Sequence, residues 1–454
     1  MVILGSRHMK GLIRKSESGQ AVVLLVFAMI ALLGFAALAV DGSMLYSDRR
    51  FAQSGADASS LAGGAQAALA MDNAGIAWWN WPATCTGDPG ITTIPTALNS
   101  TAEAAKTAAV FRANSNSFAI DDIQNVDGYN DVVVYCGSVP IGSRIDKFMD
   151  IRTRITMNTE TAFVHVVYSG ISEQRVEAVT RVRPRQPFAY GYAIVALNPD
   201  GCSGINTGAG FTGNSEVNVH KGGVFSNGCM RANNNADVNV YGAGIGYRYL
   251  KGDLDSFNFY EEDGVTGSAT QISDADRIPS DAYVLDPPPN CNAARYQGSW
   301  PPTGMQSGNI VNLLPGLYCI SGGIKLTSKD GVYGNGVTIY LTSGDFDMHA
   351  KAEANISAPD PTDGNPPVYG ALEGLLIYAP NTGNVTINGN SNSYYQGLIL
   401  APQAWIKMNG GSNVDAFRTQ IVGWDVQVAG GNGSNVWYDA EKMASYPGYI
   451  DLWR

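Results

Sequence analysis

The chain has 454 residues and a formal net charge of −11, from 29 Lys+Arg against 40 Asp+Glu. That balance excludes a nucleic-acid partner, whose phosphates select basic faces, and broad electrostatic attachment to an anionic lipid surface. Only 15% of residues are charged while Gly numbers 53, a texture that suits a β-rich exported protein of two or three domains and not a helical cytosolic enzyme.

Met1–His8 precedes a second methionine, Met9, and is set aside from fold reasoning as a start-site extension or an expression scar. The remainder of 1–19 is a short basic segment with Arg14 and Lys15, placed in the cytoplasm by the positive-inside rule. Ala21–Val40 then runs without a charge or a proline, the length an α-helix needs to cross a bilayer core. Ala21, Leu24, Leu25, Phe27, Ile30, Leu33, Phe35 and Val40 are the predicted membrane-anchor residues. Ala37-Leu38-Ala39 has the small-x-small form of a signal-peptidase site, but the run exceeds the usual core of a cleavable signal, so the expectation is retention.

From Asp41 to about residue 75 the sequence is proline-free and rich in Ala, Leu, Gln and Arg, so the helix continues outward. Ala52, Ala56, Ser60 and Gly64 recur every four residues beside a second row, Gly55, Ser59 and Gly63. Small residues at this spacing share a helix face and let another backbone approach. Two readings stay open: packing in an assembly, or packing on the chain's own globular part.

Ser18-Gly19-Gln20-Ala21-Val22-Val23, Ala39-Val40-Asp41-Gly42, Leu45-Tyr46, Arg49-Arg50 and Gln53 through Leu61-Ala62-Gly63 together resemble the TadE/TadG-type pilus-assembly proteins of bacterial tight-adherence (Flp pilus) systems. The resemblance covers about fifty residues. It implies an envelope protein with its N-terminus inside, serving pilus biogenesis or surface adhesion, with pilus or secretion-machinery proteins or further copies of itself as partners. It does not extend to prepilin processing, because the glutamate that such proteins place five residues after the glycine is Leu24 here.

Residues 76–187 are expected to form a small α+β domain. Trp78, Trp79 and Trp81 pack at its entry, Thr101–Ala113 is a helix, and Asp131–Cys136, Asp150–Met157, Thr161–Tyr168 and Arg175–Val182 are strands, with Gly170 turning the last hairpin. Beyond Phe188 the texture changes to Gly/Asn corners between short apolar pairs. Val217 and Val219 recur as Val238 and Val240, Gly374–Pro380 recurs as Gly397–Pro402, and Val385–Gly389 as Ile406–Gly410. A period of about 20–23 residues with two or three short strands per repeat predicts a parallel β-helix over 188–454. A β-sandwich of hairpins turned at Asn388-Gly389 and Asn409-Gly410 is the alternative. The acidic stretch 251–290 reads as an insertion, and Asp439–Arg454 as a cap on the solenoid end.

Cys85, Cys136, Cys202, Cys229, Cys291 and Cys319 lack metal-binding spacing and suit disulfides in an oxidising compartment, paired sequentially. Asp345, Asp347, His349 and Glu353 are the best acid–base set for a β-helix carbohydrate enzyme, the rival reading. His165 and His220 have no adjacent nucleophile or carboxylate pattern. The sequence offers no catalytic motif, metal set or cofactor motif. Tyr394, Tyr395 and Trp405 are candidates for a recognition surface, with glycans as a suitable partner class. The combined expectation is α+β with a large β part: a transmembrane helix continuing outward, a small α+β domain and a β-helix-like domain. The protein is then an inner-membrane-anchored structural component of the cell envelope.

Overall fold

The computed structural model describes residues 18–86, 94–120, 130–141, 144–161, 163, 172–202, 208–213, 216–233, 235–252, 254–381, 383–390, 392–410, 415–429 and 434–453. Helix α1 (Ser18–Asn73) is unbroken over 56 residues, about 84 Å at 1.5 Å per residue. Its proline-free sequence interrupts the backbone ladder nowhere. Its first part is an apolar stretch with mean hydropathy 2.9 in which nothing is buried; its second part is the spine of a small domain. The basic segment before Ser18 and His165 lie outside the described residues.

Helix α2 (Asn99–Ser115) and strands β1 (Asp131–Ile141), β2 (Arg144–Thr159) and β3 (Ser172–Arg183) complete that domain. Both β1–β2 and β2–β3 are antiparallel. Period-two alternation sends Val132, Val134, Met149, Ile151, Ile155, Val176, Ala178 and Val182 toward the helices, where they are buried with Ala52, Ala56 and Ala67. The other face carries ion pairs: Arg181 grips Asp150 at 2.8 and 2.8 Å, Arg183 grips Asp146 at 2.7 and 2.9 Å, and Arg154 is paired with Asp131. The expected strand Thr161–Tyr168 is not formed at Thr161 or Phe163; the rest of it, and Gly170, lie outside the described residues.

Lys147 lies on β2 opposite Ser138 and donates to the Trp78 carbonyl at 2.7 Å with its ammonium 3.8 Å above the Trp78 ring. Burial pushes its pKa down to about 8. An unfolded lysine titrates near 10.4, so between these values the unfolded chain binds more protons than the folded one, and stability rises with pH. The urea midpoint of the small domain is therefore expected to increase from pH 7.5 to 9.5. Lys147→Met should flatten that rise, and equal slopes for the two proteins would contradict the assignment.

The large sheet is a parallel solenoid. Val217 lies beside Val238, Leu317 beside Thr338, Val385 beside Ile406 and Ile399 beside Ile421. This in-register parallel stacking rules out the hairpin sandwich. Asn388 and Asn409 are corner residues that hydrogen-bond to each other across turns at 2.8 Å. Runs such as Leu375–Tyr378 and Ile194–Ala196 are buried at every residue because both sides of that face are covered, which is why they read as continuous apolar stretches. Ile194, Ile377 and Ile399 point into the solenoid core. Val195, Tyr378, Leu398, Leu400 and Val422 point outward, under Phe188, Ile272, Ile278 and Tyr283.

The chain enters this solenoid in its middle. It winds from Ile194 to Gln271, crosses the outer face through 272–294, and winds back from Tyr296 to Trp437 until its last turn stacks on its first. At that seam Ile421 pairs with Ile194, Val426 with Ala209 and Ser434 with Val217, all parallel. Two expectations are corrected here. Residues 251–290 are not simply an insertion, because Phe257–Tyr260 stacks on Val238–Tyr241 and Ala269–Gln271 on Ile245–Tyr247; Glu261, Glu262 and Asp263 lie at a corner and Asp274, Asp276, Asp281 and Asp286 in the return crossing. The C-terminal tail does not cap the solenoid. Ser445–Tyr446 pairs with Gln186–Pro187, and β4 (Tyr449–Leu452) becomes the fourth strand of the small sheet beside β3. The solenoid is thus inserted between β3 and β4.

The cysteines form three disulfides, Cys85–Cys136, Cys202–Cys229 and Cys291–Cys319, the sequential pairing expected. The first ties the Trp-rich entry to β1, the second lies within the first arm of the solenoid, and the third ties the end of the return crossing to the second arm.

Candidate assembly and recognition surfaces

The predicted anchor residues form the first surface. Leu24, Leu25, Phe27, Ile30, Leu33 and Phe35 are 60–70% exposed and Val40 44%, and Ala21 is exposed as well. Such apolar exposure on every side of one helix suits lipid and not water. Asp41 closes the run. It is buried, and its carboxylate accepts the backbone N–H of Phe163 at 3.0 and 3.2 Å, tying the β2–β3 connection to the helix.

The small-residue face is the second. Ala52, Ala56, Ser59 and Ser60 have no exposed surface, and the face is filled by the protein's own domain. Ser59 donates to the Ala109 carbonyl at 2.8 Å and meets Thr153 Oγ1 at 3.1 Å; Thr180 donates to Ser60 Oγ at 2.9 Å. A Cβ at Gly63 would lie 2.9 Å from the Ala105 carbonyl oxygen, one at Gly64 would strike Thr180, and one at Gly55 would strike Phe118. Assembly through this face is corrected: α2, β2 and β3 occupy it.

The third surface runs along the outside of the solenoid across the seam. Alternation in Ser434–Trp437, Glu216–His220, Asp237–Tyr241 and Phe257–Tyr260 buries Val436, Val219 and Val240 and turns their neighbours outward. Trp437, His220, Tyr241 and Tyr260 stack in that order, with ring centroids 3.8, 4.5 and 4.9 Å apart and planes within 9°, 11° and 19° of parallel. Beside them runs an amide ladder: Asn258 donates to Asn239 at 3.0 Å, Asn239 to Asn218 at 2.9 Å, and Asn218 to Asn435 at 2.9 Å. Asp415 closes one end, accepting from Trp437 Nε1 at 3.0 Å and Asn435 at 3.2 Å; these bonds hold its pKa below the usual carboxylate range. Glu262 meets His220 Nδ1 at 3.3 Å and accepts from the Lys221 backbone N–H at 2.9 Å. The ring faces cover one another and Asn239 is buried, so this strip presents ring edges, hydroxyls, carboxylates and the half-buried amides of Asn218, Asn258 and Asn435.

The three residues expected to form a recognition surface behave differently from one another. Tyr395 is a correction: it is fully buried, stacked on Phe417 at 5.5 Å, with its hydroxyl donating to the Asn388 carbonyl at 3.1 Å, because alternation points it into the core. Tyr394 is half-buried and donates to Gln396 Oε1 at 2.8 Å. Trp405, also half-buried, stands beside Asp425. The structure does not gather the carboxylates into one site. Asp347 and Glu353 lie on different strands of one turn, Glu353 is bonded to Tyr333 and Asn392, and Asp345 caps the Asn384 N–H at 2.8 Å. Among the described residues no group of three or more His, Cys, Asp or Glu is placed to hold a metal.

A family model described as "Putative Flp pilus-assembly TadE/G-like" matches residues 19–70. That span is α1 from the start of its apolar run through its packed face. No curated protein and no solved structure matches the chain.

Proposed function

We propose that this protein is a membrane-anchored, extracytoplasmic structural component of Flp-type pilus assembly or surface adhesion, with its N-terminus inside. The observation that carries the reading is that the pilus-assembly family match at residues 19–70 coincides with a fully lipid-suited helix that leads straight into a folded domain. Beyond Asp41 the helix runs about 50 Å further, and the solenoid joins at that far end, where the Trp78 N–H donates to the Arg185 carbonyl at 2.9 Å. The helix and small domain then act as a stalk that presents the solenoid to pilus or secretion-machinery proteins. The Asn/Tyr/His strip takes neutral, hydroxyl-rich glycans: its amides and hydroxyls match sugar hydroxyls, and Glu216, Asp237 and Glu262 repel polyanions.

Deleting the gene in its host should abolish surface pili or adhesion, and the full chain should restore them. Unchanged piliation and adhesion in the deletion strain would refute the assignment. Complementation by Asn258→Ala/Tyr260→Ala should restore pili while weakening adhesion to glycan-coated surfaces at least five-fold. Full adhesion by that variant would remove the glycan assignment and leave the assembly role.

A further inference from the structure

Phe163 stands at a height fixed by the helix beside it. Gln53 Nε2 donates to the Glu177 carbonyl at 3.2 Å, and Thr180 donates to Ser60 at 2.9 Å. Gln53 and Ser60 are about 10 Å apart along the helix axis, and Glu177 and Thr180 about 10 Å apart along the strand, so strand and helix run side by side at equal pace. Asp41 lies about 18 Å below Gln53, and Ser172, the first residue of β3, about 17 Å below Glu177. The sheet therefore ends level with Asp41, and the Phe163–Asp41 bonds fall at that level.

That level is the edge of the membrane. Ala21–Val40 spans about 30 Å as a helix, the thickness of a hydrocarbon core, and Asp41 is the first charge beyond it. Phe163 is half exposed although Asp41 fixes its backbone. In sequence, Thr161–Ile171 contains no Asp, Glu, Lys or Arg. Tyr46, 70% exposed, stands within two turns above on the helix, where an interfacial aromatic belt would lie.

We propose that Phe163, held by Asp41, enters the membrane interface, so that the small domain makes a second contact with the bilayer beside its helical anchor. The inference rests on the reading of α1 as a membrane span. One helix alone leaves a domain free to tilt and turn about it; a second contact fixes the direction in which the stalk points. The occupant of this surface is lipid, because its position is set by the apolar run and its exposed group is an apolar ring in a connection whose one charge, Glu160, lies at its start beside β2.

The test uses the full chain in phosphatidylcholine liposomes. The described cysteines are all in disulfides, so Phe163→Cys, Leu33→Cys and the distal Asn309→Cys can each carry one polarity-sensitive fluorophore. Nitroxide lipids labelled near the headgroup should quench the position-163 label at least two-fold more than lipids labelled deep in the chains. Position 33 should show the reverse order and position 309 no quenching. Adding Asp41→Asn should reduce quenching at 163 and leave position 33 unchanged. A label at 163 that is unquenched while position 33 is quenched overturns the proposal, whether its emission reports water or, if blue-shifted, a protein partner. No quenching at position 33 overturns the anchor reading as well.

Discussion

Gly63→Leu is expected to lower the stability of the small domain by about 3 kcal/mol, the upper part of the range for forcing side-chain volume into a packed core. The site has no room on three sides: a Cβ would lie 2.9 Å from the Ala105 carbonyl oxygen, 2.9 Å from Ile151 Cγ2 and 3.0 Å from Ala109 Cβ. The Ala105 oxygen belongs to the backbone of α2, so relief requires moving the whole helix and the Ser59–Ala109 bond with it. Ala65→Leu, two residues along on the exposed side of α1, should change stability by less than about 0.5 kcal/mol. Urea unfolding of the two variants checks the pair; equal midpoints would mean that α2 does not press on this face. The consequence for function is direct. Under the proposed pilus role, loss of piliation in a Gly63→Leu or Ser60→Leu strain would report a misfolded small domain and not a broken contact between subunits; the outer side of the helix, where Leu61 and Leu69 are 41% and 54% exposed, is the side left open to a partner.

The spacing of small residues showed that something approaches α1 closely, but an i, i+4 pattern records only the distance of approach and not whose backbone arrives. The solenoid was legible for the same kind of reason: Val217/Val219 and Val238/Val240 repeat locally, and turns stack with their neighbours in sequence. The seam was not. Asn435 and Trp437 repeat the Asn218/His220 and Asn239/Tyr241 pattern, but they return after a long detour, at a separation that no local period reveals. The aromatic and amide strip was hidden with it, because the inward valines carry the visible repeat and their neighbours vary between Asn, His, Tyr and Trp. Tyr395 was misplaced for the converse reason: beside Tyr394 in sequence, it belongs to the opposite side of the strand. The acidic residues of 251–290 obscured true turns, since charge at outward and corner positions says nothing about whether the backbone between them is stacked.

The seam is where the two arms of the solenoid meet. Ile421→Asp should cost about 4–5 kcal/mol, since it removes a core isoleucine and places a carboxylate without a partner in a dry interior. Ile421 is fully buried, its N–H donates to the Ala193 carbonyl at 2.7 Å, and its side chain stacks beside Ile194. Cys202–Cys229 lies within the first arm, Cys291–Cys319 ties the end of the return crossing to the second arm, and none of the three bridges joins the two arms. Oxidation therefore does not protect the seam. With the seam loosened, the return crossing 272–294 loses the surface formed by Val195 and Val422 on which Ile272 and Ile278 lie, and becomes open to protease. Limited proteolysis of the oxidised variant should cut there and yield two pieces on a non-reducing gel, at least ten-fold faster than for the unaltered protein. Gln403→Asp, at an exposed position of the preceding turn, should cut no faster. Equal resistance of the Ile421 variant would mean that β4 and the Ser445–Tyr446 pairing hold the two arms together without the stacked turn.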